Sequence, residues 1–312
     1  MTLPIRLTMN LLSGLLTPPV TVSLPFSFNA KNLHVLLQGA LDEESNPRAS
    51  KIILDFAKLN FADPTAITVL SNVVEYLRHK HGTKVVFRNF HFPTEGNKFL
   101  DDSAFFLRYV GEPVFKGSKL RTTTLPLELV TYDRSWSWIH HTFAEWISQR
   151  VGLSPASFAS IYVCLQEIFN NISDHSGEKI GCVFAQHYPQ KGEVMLTISD
   201  FGVGIPFNVR KVEPGISDAA ALAKAVIEGF TTKSTHRNRG AGLNILTRYV
   251  VENNRGRVFV QSLKGTFNCI HAASGVRMSP RTETVSYPGT LIQITFRTGS
   301  LEPIAEKEEF EW

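Results

Sequence analysis

Glu167, Asn171 and His175 stand four residues apart in the segment Leu165-Gln-Glu-Ile-Phe-Asn-Asn-Ile-Ser-Asp-His175, and Asp200-Phe-Gly-Val-Gly204 follows about one strand-loop-strand later. Residues that recur at every fourth position of a helix share one face. A carboxylate and an amide then point together into one cleft, the first at a water or hydroxyl, the second at a metal. A third segment, Arg239-Gly-Ala-Gly-Leu243, completes the order that a nucleotide site needs.

ATP chemistry requires a polarised water or acceptor hydroxyl, a metal, phosphate donors and a purine contact. Glu167 is suited to general base catalysis. Asn171 offers a carbonyl oxygen to Mg2+, an ion that takes most of its ligands from phosphate and water. Asp200 at a strand end can accept from the adenine amine, and Gly202 and Gly204 let the backbone pass close to the ring. Gly240 and Gly242, just ahead of the apolar run Leu243 to Val251, would present N–H groups and a helix N-terminus to phosphate. Taken singly, each piece has a plainer reading. A polar stripe at helical spacing is usually a solvated face, a lone Asp-x-Gly-x-Gly is usually a turn, and His175 reads as a helix-end packing or capping residue. The ordered set is what points to ATP.

These boxes resemble the GHKL superfamily of ATP-binding domains, which includes gyrase, MutL, histidine kinases and the anti-sigma-factor serine kinases. Leu165 to His175 resembles the N box, Ser199 to Pro206 the first glycine box, Arg239 to Leu243 the second, and Pro288 to Phe296 the closing strand. The resemblance covers roughly residues 125 to 298. It implies an α+β two-layer sandwich of the Bergerat type, ATP and Mg2+ as ligands, Thr290 as a further adenine contact, and a mobile lid over about residues 207–238. Within that lid Lys233, Arg237 or Arg239 would reach the terminal phosphate. Glu167, where histidine kinases commonly carry Asn, brings the N box nearer to the serine kinases and gyrase.

Upstream, Lys51 to Phe56 reads as a buried strand. Asp63-Pro64 caps and opens a helix, Ile67, Leu70, Val74 and Leu77 repeat at helical spacing, Gly82 stops it, and Thr83 to Phe87 is the next strand. Strand, helix and strand at this length form a parallel crossover. Residues 20 to 115 resemble a STAS domain of the anti-sigma-factor antagonist type, in which a Ser at the helix start accepts phosphate. Thr65 falls on that position, with Pro64 and Ala66 in place of the usual Ser and Gly. The plain alternative makes Asp63 an N-cap and Thr65 an ordinary first-turn residue, and it is the preferred reading for phosphorylation.

The fold expected is therefore an α/β STAS-like domain followed by an α+β GHKL sandwich. Its divisions are an N-terminal segment 1–19, a STAS-like domain 20–118, a linker 119–125, an ATP-binding domain 126–300 and an acidic tail 301–312. Within the second domain, 136–151 and 157–173 read as helices, and 180–187, 193–199, 257–263 and 291–296 as strands.

With 32 basic against 28 acidic residues, the formal charge of +4 gives no electrostatic case for nucleic acid. Three cysteines lacking metal spacing read as reduced core thiols. No stretch approaches the roughly 20 apolar residues of a membrane span, and residues 11–16 are too short for a signal segment. A cytoplasmic protein is expected. Three functions follow from the reading: an ATPase or serine/threonine kinase that works with a signalling partner of STAS or sigma/anti-sigma type, a nucleotide-gated interaction module without catalysis, or a dimerising ATPase clamp.

Overall fold

A computed structural model describes residues 18–175, 180–227, 242–273, 275–301 and 303. The chain divides between Lys119 and Leu120 into two compact units.

The first unit is built on parallel strands β1 (Val20–Ser23), β3 (Lys51–Asp55) and β5 (Lys84–Arg88), in the order β1-β3-β5, with a short parallel pair β2 (Ser27–Phe28) and β4 (Phe61–Ala62). Alternation in Lys51–Asp55 sends Ile52 and Leu54 into the core. After β4 comes the helix Pro64–Glu75. Asp63 caps it, its Oδ1 accepting the Ala66 N–H at 2.9 Å, and Pro64 occupies the first turn, where a missing N–H costs nothing. Every residue of this helix is buried. It continues as a π-helical turn, Tyr76–Lys80, and the chain leaves through Gly82 at φ +63°.

The second unit is a five-stranded antiparallel sheet in the order β6-β7-β8-β10-β9. Its strands are β6 (Thr124–Thr131), β7 (Ile180–Tyr188), β8 (Glu193–Asp200), β9 (Arg257–Ala272) and β10 (Gly275–Arg297). The helix Ala159–His175 lays Ile161, Leu165, Ile168 and Ile172 into one core with Val183, Ala185, Ile198, Ile292 and Ile294 of the sheet. A stripe at three- and four-residue intervals does this because it subtends one helix face. Gly181 lets the helix sit close, since a Cβ there would lie 3.1 Å from Ile172 Cδ1.

Three parts of this unit differ from the sequence expectation. Strand β6 begins within the expected linker, where the sequence pattern predicts no strand. Pro126 interrupts its alternation, and the sheet absorbs the missing donor by placing β6 at an edge with a register shift between Leu125 and Glu128. The helical region before Val151 starts at Tyr132 rather than Trp136 and passes through a π-helical stretch, Trp138–Phe143. Strands β9 and β10 are much longer than the apolar runs 257–263 and 291–296. They continue as a two-stranded ribbon beyond the sheet, paired from Gly265↔Thr282 to Ala272↔Gly275, with register shifts on either side of Tyr287.

Candidate functional site

The helix Ala159–His175 carries Glu167 and Asn171 on the side away from its core stripe, Glu167 half-buried and Asn171 exposed. Glu167 Oε1 accepts from Asn170 Nδ2 at 3.3 Å, and Asn170 Oδ1 in turn accepts from Tyr132 OH at 3.3 Å and Gln166 Nε2 at 3.4 Å. Among the described residues no group of three or more His, Cys, Asp or Glu side chains could hold a metal. An ion bound beside Asn171 would take its other ligands from phosphate and water, as Mg2+ does.

Asp200 ends β8 and stands opposite Thr290 of β10 in the ladder. Its side chain is buried, and Oδ1 accepts the Gly202 N–H at 2.7 Å. Desolvation pushes the carboxyl up to about 7, against the backbone hydrogen bonds that favour its charged form. A buried carboxyl offers acceptor capacity to a donor-bearing ligand edge.

Two glycines let the main chain pack closely in the segments next to Asp200. Gly204 has φ +82°, and a Cβ there would lie 2.7 Å from Ser262 Oγ. Gly289 has φ +90°, and a Cβ there would lie 2.1 Å from the Asp200 carbonyl oxygen. Neither position tolerates a side chain without displacement of backbone or of a buried hydroxyl. Around them, Ser199 Oγ donates to the Thr290 carbonyl at 3.0 Å, so the Tyr287 hydroxyl, 2.6 Å away, is the donor to Ser199. Ser262 Oγ accepts the Ile205 N–H at 2.9 Å and donates to the Gly289 carbonyl at 2.8 Å.

The structure thus brings together Asp200, Gly202, Gly204 and Thr290, and sets Glu167 and Asn171 one turn apart on a single helix. Gly242 is the first residue of the helix Gly242–Thr247, which packs against Ala159–His175. Lys233, Arg237, Arg239 and Gly240 lie outside the described residues. Of the expected lid, residues 207–227 are folded. The helix Asp218–Ala225 is tied back through Asp218, which pairs with Arg210 and accepts the Lys264 N–H at 2.9 Å. Thr65 belongs to the first unit and its side chain is fully buried.

Sequence reading did not single out Ser199, Ser262, Tyr287 or Gly289. Gly289 carried a signal, since glycine after proline at a strand start marks a turn or a close backbone approach. The three hydroxyls carried none, because their roles arise from contacts across the sheet.

All three cysteines are free and buried, with burial pushing Cys164 up to about 12 and Cys269 up to about 11. No helix among the described residues is long and apolar enough to cross a membrane.

Among curated proteins, none matches this chain. Solved structures similar to it include the crystal structure of the B-subunit of the DNA gyrase from Myxococcus xanthus, at 13% identity over 37% of this chain and 31% of that one, with a TM-score of 0.20. The crystal structure of the N-terminal domain of a DNA repair protein is similar at 13% identity over 34% of this chain and 28% of that one, with a TM-score of 0.17. The chain therefore spans less than a third of the length of either. Residues 158–297 match the family model described as histidine kinase-, DNA gyrase B-, and HSP90-like ATPase. Residues 158–297 are a HATPase_c domain of the GHKL type.

Proposed function

We propose that this chain is an ATP-dependent regulatory protein whose GHKL domain binds Mg-ATP and either hydrolyses it or passes its terminal phosphoryl group to a serine or threonine hydroxyl. The observation that carries the reading is the buried Asp200 carboxyl, across the ladder from Thr290, in a segment whose main chain packs so closely at Gly204 and Gly289 that a Cβ would collide. That arrangement fits a flat base with an amino edge. Glu167 orients the attacking water or hydroxyl and takes its proton. Asn171 would offer an oxygen to Mg2+, an ion that when bound would supply charge neutralisation at the phosphate oxygens.

The first unit we read as STAS-like, the docking module for a signalling partner in bacterial partner switching. Its parallel β1-β3-β5 sheet, and the Asp63-capped helix that follows β4, support that reading. Thr65 has no access to a kinase while its hydroxyl is sealed in the core, so modification there would require the first helical turn to open.

The test is incubation of the purified chain with Mg2+ and γ-labelled ATP, alone and with Asp200→Ala and Glu167→Gln. Wild type is expected to bind nucleotide and release phosphate or acquire label; Asp200→Ala should lose binding. Binding with neither product supports the second reading, a nucleotide-gated module. In that case nucleotide should alter protease cleavage within residues 207–238, a segment whose described part is tethered to β9 through Asp218. Absence of nucleotide binding by wild type would overturn the proposal.

A further inference from the structure

We infer that Ser262 is a positioning residue of the nucleotide site, fixing both the glycine loop and the direction in which the Thr290 hydroxyl faces. This rests on the ATP-site reading above.

Ser262 is fully buried on β9, and its hydroxyl meets three groups from segments far apart in the chain. It accepts the Ile205 N–H at 2.9 Å, donates to the Gly289 carbonyl at 2.8 Å, and lies 3.2 Å from Thr290 Oγ1. A serine hydroxyl has one proton to give and two lone pairs to receive. With its proton on Gly289 and one lone pair on Ile205, the remaining lone pair draws the Thr290 proton. Thr290 Oγ1 then presents lone pairs on its other side. Asp200, its neighbour across the ladder, is a second acceptor. Two acceptors side by side select a ligand edge that carries donors, an exocyclic amine rather than a carbonyl.

Loss of the hydroxyl leaves the part-buried Ile205 N–H and the buried Gly289 carbonyl without this partner and frees the Thr290 proton to turn toward the ligand. A serine that served only the fold would lower stability and leave nucleotide selection untouched.

The experiment measures equilibrium binding of Mg-ADP and Mg-GDP to the full chain, with thermal melting in parallel. Ser262→Ala is expected to bind ADP about tenfold more weakly, the size set by one buried hydrogen bond, and to show a narrowed preference for ADP over GDP. Gly204→Ala keeps the hydroxyl but sets a methyl carbon 2.7 Å from it, and is expected to weaken ADP binding as well. The two effects should not add, because both act on one contact. Wild-type affinity and selectivity in Ser262→Ala, with a lowered melting temperature, would overturn the inference. If that variant does not fold, unchanged ADP binding by Gly204→Ala overturns it instead. Failure of wild type to bind ADP at all would remove the ATP-site reading and this inference with it.

Discussion

Gly289 and Asp200 lie on neighbouring strands with so little space between them that a Cβ on the glycine would stand 2.1 Å from the aspartate carbonyl oxygen. The main chain at Asp200 is thus fixed by close packing against Gly289, and its carboxyl accepts the Gly202 N–H at 2.7 Å.

Gly289→Ala should therefore damage both the fold and the site. The φ of +90° is one that alanine avoids, and the methyl overlaps backbone, which cannot rotate away. Strain and overpacking together cost roughly 2–5 kcal/mol. A thermal melt should show the destabilisation, and the variant that remains folded should bind ADP weakly.

Asp200 gives the unliganded protein a pH dependence of known sign. Its carboxyl titrates near 3.8 when unfolded and is pushed up to about 7 by burial when folded. Between those values the folded state holds the extra proton, so the contribution is fully present below pH 3.8 and is lost as pH rises through about 7. Denaturant unfolding of wild type and Asp200→Asn at several pH values checks this: the difference between the two should move in favour of the Asn variant as pH rises.

Glu167→Gln should keep nucleotide affinity within about twofold and reduce turnover by 100-fold or more, the size of a typical general-base contribution. Binding and phosphate release measured on one preparation separate these effects. Normal turnover by the Gln variant would remove Glu167 from the chemistry.

Asp63→Ala should loosen the first turn of the Pro64–Glu75 helix. It removes the acceptor of the Ala66 N–H, a loss of about 1 kcal/mol. Hydrogen exchange at the Thr65, Ala66 and Ile67 amides should accelerate about fivefold. Burial pushes Asp63 up to about 6, so its own contribution to stability falls as pH rises from 3.8 through about 6.

Much of the fold was legible where a single periodicity governs burial. Phe158, Ile161, Leu165, Ile168 and Ile172 are all buried, as their spacing requires, and Lys51–Asp55 alternates because one face meets the core. The parts that were not legible lack that one-sided burial. Thr124–Thr131 carries a proline within an edge strand. In the β9–β10 ribbon, β10 between Gly275 and Thr284 is largely exposed, so no apolar pattern announces it. The helix start at Tyr132 passes through Asp133, Arg134 and Ser135, which give no apolar repeat. In the candidate site, the closeness of Asp200, Gly202 and Gly204 was legible because they are neighbours in sequence. Ser262 and Gly289 close on the same loop from elsewhere in the sheet, and only the strand register brings them there.

The register shifts flanking Tyr287 separate the ribbon from the sheet. Pairing from Arg257↔Thr295 to Ser262↔Thr290 is set below the shifts, and pairing from Gly265↔Thr282 outward is set above them. Phe267 and Cys269 of the ribbon are buried in the core, so a one-residue slip of the outer pairing would turn them outward. The ribbon register is thus fixed by its own buried residues, separately from the pairing of Ser262 with Thr290 below the shifts.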